Sequence, residues 1–109
     1  MKYLYGLIAL ALAFATPAFA GKIYGSITEA GKPIAENVKV EVTCGSNNYS
    51  AQTDKYGAFN VFATDKGKCA LKVYYQGQMP SFEVNSYDNA VQYDLVLEKQ
   101  GAQYTLKRK

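Results

Sequence analysis

The chain has 109 residues, with 12 lysines and arginines against nine aspartates and glutamates, a formal charge of +3. It contains no histidine, which removes serine–histidine and cysteine–histidine nucleophile systems and the commonest general base near neutral pH. Positive charge is concentrated only at Lys107-Arg108-Lys109, without the basic stripe of a nucleic-acid binder.

Residues 1–20 read as a secretory leader. Lys2 supplies a short positive region, residues 4–15 form an apolar run, and Thr16-Pro17 breaks it before Ala18-Phe19-Ala20, a small-x-small cleavage pattern ending at Ala20-Gly21. The run is too short to cross about 30 Å of hydrocarbon. Cleavage leaves residues 21–109, one domain with a charge of +2. The expected location is the periplasm of a Gram-negative cell, or the medium outside it. Cys44 and Cys69 are the only cysteines, and an exported chain meets an oxidising compartment. A disulfide is therefore expected between them. The alternative, two thiols in a metal or redox site, lacks both CxxC spacing and a histidine co-ligand.

From residue 22 onward the hydrophobic period is two, and no helix is expected. Residues 22–28 form a first strand, and residues 29–34 turn the chain: Gly31 permits positive φ and Pro33 fixes φ near −65°. Val38, Val40, Val42 and Cys44 alternate with Lys39, Glu41 and Thr43 as a half-buried strand. Residues 45–48 turn, and residues 49–53 make a short strand. Asp54 and Gly57 bracket the next turn, the carboxylate accepting from backbone N–H groups and the glycine taking the left-handed position. Phe59, Val61 and Ala63 alternate until Asp65-Lys66-Gly67, and Cys69, Leu71, Val73 and Tyr75 share one face of the following strand. Residues 82–84 form another. Val91, Tyr93, Leu95 and Leu97 line a single long strand, and residues 104–106 supply a weak eighth if they pair at all. Seven or eight strands at this spacing predict an antiparallel β-sandwich.

In order and spacing, these residues resemble the carboxypeptidase regulatory-like domain, a transthyretin-like (prealbumin-like) seven-stranded sandwich. The resemblance is carried by Gly25-x-Ile27, Gly31-x-Pro33-Ile34, Val38-x-Val40, Thr53-Asp54-x-x-Gly57-x-Phe59-x-Val61, Gly67-x-Cys69-x-Leu71-x-Val73 and Tyr93-Asp94-Leu95-x-Leu97. It covers residues 22–98. It implies structural roles for the turn residues Gly31, Pro33, Asp54, Gly57 and Gly67, no catalytic residue to transfer, and a small stand-alone exported protein.

Glu41, Glu83, Asp94 and Glu98 fall in outward phases of separate strands, as expected of a solvated face rather than a carboxylate pair. No clustered oxygen ligands for a metal are visible, and no cofactor is expected. Tyrosine is the unusual signal: ten in the chain, eight after residue 20, and no tryptophan. Tyr75 and Tyr93 fall in core phases. Tyr24, Tyr49, Tyr56, Tyr74 and Tyr87 are expected at the surface or in loops, and Tyr49, Tyr56, Tyr74 and Tyr87 are candidate binding residues. Good strand propensity is an equally ordinary reason for tyrosine. The basic triplet 107–109 is expected to be a frayed, solvated end. The expected role is a non-enzymatic module that binds another envelope protein by β-augmentation, the alternative being a carbohydrate-binding module for cell-wall or exopolysaccharide sugars.

Overall fold

Alternating apolar residues build ten strands over residues 21–109, the part of the chain that the computed structural model describes; the expected leader at residues 1–20 lies outside the described residues. The strands are β1 (Lys22–Glu29), β2 (Lys32–Pro33), β3 (Lys39–Cys44), β4 (Asn47–Gln52), β5 (Ala58–Phe62), β6 (Gly67–Val73), β7 (Ser81–Ser86), β8 (Val91–Gln92), β9 (Leu95–Gln100) and β10 (Gln103–Arg108). No helix occurs among the described residues.

Two sheets face each other. One is β4-β3-β6-β7, antiparallel throughout. The other is organised on β1. Its first half pairs antiparallel with β5 and parallel with β8; its second half pairs antiparallel with β2 and parallel with β9, beyond which lies β10. The core between them is formed by Ile23, Ile27, Phe59, Val61, Leu95 and Leu97 from one sheet and Val40, Val42, Leu71, Val73 and Val84 from the other, each at most 1% exposed. Burial of this apolar surface is the dominant favourable term.

Several boundaries differ from the sequence reading. Residues 29–34 contain a two-residue turn at Ala30-Gly31, after which Lys32-Pro33 pairs back on β1 as β2. The β3–β4 turn is Gly45-Ser46 alone, so Asn47 and Asn48 already belong to a strand. The expected antiparallel arrangement gives way at β8 and β9, because the chain leaves β7 in one sheet and enters the other running in the direction of β1.

The expected single strand through Val91 and Leu97 is broken at Tyr93-Asp94. Beside the break lies Gly25, where an added Cβ would stand 1.9 Å from the Tyr93 carbonyl oxygen. Only glycine allows that approach. The Tyr93 N–H donates to the Tyr24 carbonyl (2.8 Å), and Asp94 repairs the ladder: its Oδ1 accepts from the Ser26 N–H (3.2 Å) and the Ser26 hydroxyl (3.1 Å).

Cys44 and Cys69 form a disulfide, with Cα atoms 4.5 Å apart. The bond joins neighbouring strands within one sheet. It continues the register Val40↔Val73 and Val42↔Leu71 by two residues, at the spacing of a non-hydrogen-bonded antiparallel pair.

The turn at Asp54 is built by its own carboxylate. Oδ1 accepts from the N–H groups of Tyr56 (2.8 Å) and Ala58 (3.0 Å), and the Gly57 N–H donates to the Asp54 carbonyl (3.0 Å). Two buried hydroxyls are satisfied in the same way by backbone. Thr53 donates to the Ala35 carbonyl and accepts from the Val38 N–H; Ser86 donates to the Ala63 carbonyl.

Candidate binding surfaces

The four candidate tyrosines do not converge. Tyr56 stands on the β4–β5 turn, 66% exposed. Tyr87 follows β7 at the opposite end of β1, where its carbonyl accepts from the Gly21 N–H (3.1 Å). Tyr74 is on the outer side of the β3–β6 region: its hydroxyl donates to Glu41 Oε1 (2.5 Å) and its ring lies under the Lys39 ammonium, 4.9 Å from the centroid. The hydrogen bond to the Glu41 carboxylate holds its phenol above the usual tyrosine range. Tyr49 is half-buried against the core, with its hydroxyl 3.0 Å from the Thr64 hydroxyl, so it is a packing residue more than a surface one.

The core tyrosines divide. Tyr93 is buried, under the Arg108 guanidinium (4.5 Å) and edge-on to Phe82. Tyr75 is only half-buried, crosses Tyr104 edge to face, and donates to Glu29 Oε1 (3.0 Å). Burial first, and then the Glu29 carboxylate, push its phenol pKa up.

The outward carboxylates lie on both sheets and are not all solvated. Glu41 meets Tyr74, Glu98 pairs with Lys107 (2.9 Å), and Asp94 is committed to Ser26 and to the Gln92 amide (3.0 Å). No group of three or more acidic or cysteine side chains able to hold a metal is found among the described residues.

Two surfaces absent from the sequence reading are visible. On the outward face of β5-β1-β8, register places Asn60, Tyr24 and Gln92 in one row, with Phe62 (53% exposed) beside Lys22 in the next. The rule of two gave the side of each residue, but not which strands lie next to one another.

The second surface is the outer edge of β10. Its hairpin with β9 has two connecting residues, so Gln100 and Gln103 are the closing hydrogen-bonded pair. The N–H and C=O groups of Thr105 and Lys107 therefore face β9, and those of Tyr104, Leu106 and Arg108 face outward. The Lys109 N–H, in the same phase as Lys107, donates to the Asp94 carbonyl (2.8 Å).

A side chain covers the first part of this edge. Gln78 Oε1 accepts from the Tyr104 N–H (2.8 Å), and its Nε2 donates to the Ala102 carbonyl (2.7 Å). Past that clip, Leu106 and Arg108 have no strand beside them among the described residues. A small depression lined by Gln92, Asp94, Arg108 and Lys109 opens at the strand's end. The expected frayed triplet is thus an ordered strand end.

The edges of the other sheet are covered in part. β4 packs against β5, with the Asn47 amide bonded to the Asp65 carboxylate (2.7 Å) on that side. On β7, the outward Asn85 N–H is taken by the Tyr93 hydroxyl (2.9 Å). β7 also approaches β10 but forms no ladder with it.

No family model matches the chain, and no curated protein matches it. Among solved structures, a 9R-lipoxygenase from Cyanothece PCC8801 is similar over 86% of this chain at 16% identity, with a TM-score of 0.47. This chain spans 20% of that protein's length, and a likeness of this degree carries no argument about function.

Proposed function

We propose that the chain is a non-enzymatic exported module that binds another protein of the cell envelope by adding that partner's extended segment to a sheet edge. The observation that carries this reading is the outer edge of β10, where no strand among the described residues pairs the outward backbone groups of Leu106 and Arg108 past the Gln78 clip. Unpaired edge groups of this kind are a template for an added strand. The Cys44–Cys69 disulfide supports export to an oxidising compartment. The sequence resemblance to carboxypeptidase regulatory-like domains supports a non-catalytic role, as does the scatter of the outward carboxylates over two sheets.

The test is crosslinking capture from native envelope by the tagged full chain, with crosslink sites mapped by mass spectrometry. The wild type is expected to give one recurrent protein crosslinked at β10. Arg108→Pro, which removes an outward N–H not used by β9, is expected to lose it, and Tyr56→Ala/Tyr87→Ala to retain it. Crosslinks that map to the tyrosine loops and disappear with the double variant would refute the edge assignment.

A carbohydrate-binding module is the second reading, favoured by one observation: the row Asn60–Tyr24–Gln92 sets a ring between two amides beside the exposed Phe62. Tyr24→Ala/Phe62→Ala would then abolish retention on immobilised envelope polysaccharide while leaving β10 crosslinks intact.

A further inference from the structure

We propose that the segment received by β10 is acidic. The inference rests on the edge reading above and names the chemistry of its partner. Three cations crowd the open half of the strand: Lys107, Arg108 and Lys109, with Lys99 nearby on β9 over the Tyr104 ring. Two carboxylates stand among these four cations. Glu98 takes Lys107, and Asp94, bonded to neutral groups of Ser26 and Gln92, keeps its charge at the depression it shares with Arg108 and Lys109. Arg108 donates through Nη2 to the Gln92 carbonyl (2.9 Å), a neutral acceptor. Positive charge therefore remains in excess beside the outward N–H and C=O groups of Leu106 and Arg108. An incoming strand with carboxylates near these groups would add ion pairs to a short ladder.

A second copy of this chain fits the edge poorly. Antiparallel pairing centred on Leu106 would set Arg108 opposite Tyr104, whose outward N–H is already taken by Gln78. Pairing centred on Lys107 or on Arg108 would set like charges face to face, which is unfavourable across strands. All three registers oppose self-assembly, and none opposes an acidic partner.

The experiment uses protein recovered from expression of the full chain and three labelled peptides, alternating Thr with Glu, Gln or Lys. Binding is read by fluorescence anisotropy and by amide shifts in nitrogen-15 spectra. The Thr-Glu peptide is expected to bind roughly tenfold or more tighter than the others, to move the Leu106 and Arg108 amides, and to weaken steeply from about 0.05 to about 0.5 M salt. Arg108→Glu/Lys109→Glu, with its spectrum confirming the fold, is expected to reverse the preference toward Thr-Lys.

Equal binding of all three peptides at β10 would overturn the charge assignment and leave the edge reading standing. Failure of every peptide to move the β10 amides would overturn the inference, while the envelope capture judges the edge reading independently. Polygalacturonate that moves the Lys107 and Lys109 side-chain signals, with no peptide bound, would overturn it in favour of an acidic glycan.

Discussion

Asp94 replaces a missing rung of the sheet at Ser26, accepting from both its backbone N–H (3.2 Å) and its hydroxyl (3.1 Å). The carboxylate stands where β8 has ended and β9 has not yet paired. Asp94→Ala leaves a partly buried N–H without that acceptor and is expected to cost about 2 kcal/mol. Asp94→Asn, which keeps an acceptor oxygen, should cost roughly half as much. Urea unfolding of both variants checks the order, and Ala no worse than Asn would refute the role.

Ala30 sits at φ 54°, in a two-residue turn that forces a left-handed backbone on a residue with a Cβ. Asparagine tolerates that conformation better. Ala30→Asn should raise stability by about 0.5–1 kcal/mol, and Ala30→Val should lower it by a similar amount or more. Thermal melts of the three proteins give the comparison.

Tyr75 titrates above its ordinary value of 10.0 because burial, and secondarily the Glu29 carboxylate, disfavour the phenolate. A phenol whose folded pKa exceeds its unfolded value contributes stability that is fully present below about pH 10 and is lost as pH rises through the folded pKa. Tyr75→Phe should therefore flatten the alkaline fall in stability. It should also remove one late-titrating group from the absorbance change near 295 nm. Loss of that amplitude from the main transition near pH 10, rather than from its late part, would show that Tyr75 ionises as an ordinary phenol.

The disulfide closes a loop of sequence separation 25, for which chain entropy gives about 3–4 kcal/mol. Reduction, or Cys44→Ser/Cys69→Ser, should lower the unfolding midpoint by a corresponding amount. The effect should be similar for both treatments if it arises mainly in the unfolded chain. A midpoint insensitive to reductant would mean that β3–β6 pairing holds the two strands equally well without the bond.

Period-two alternation was enough to place the core strands, because a half-buried strand must alternate. It named Val40, Val42, Phe59, Val61, Leu71, Leu95 and Leu97, all buried. It could not place strands side by side, so the row Asn60–Tyr24–Gln92 and the direction of β8 and β9 emerge only from the fold. Tyr93 and Leu97 keep one phase in sequence although the strand breaks between them, so the break left no trace in the alternation. The signal was Gly25, a glycine inside a strand pattern, which marks close backbone approach. Tyr49 was misplaced because an aromatic at a strand position reads equally well as surface or core. The Gln78 clip had no sequence signal at all, since a glutamine two residues after Gln76 in a turn is unremarkable.

The covalent link between β3 and β6 also sets how the molecule carries load. Residues 45–68, which include β4 in one sheet and β5 in the other, lie inside the ring closed by Cys44 and Cys69. Tension applied between Gly21 and Lys109 would pass from one sulfur to the other and bypass that ring. The oxidised domain, once pulled open, would then pay out about 8 nm less chain than the reduced one, at roughly 3.5 Å per residue. The hidden segment would stay slack, and the break in force would fall on β1, its neighbours β8 and β9, and the outer strand β10.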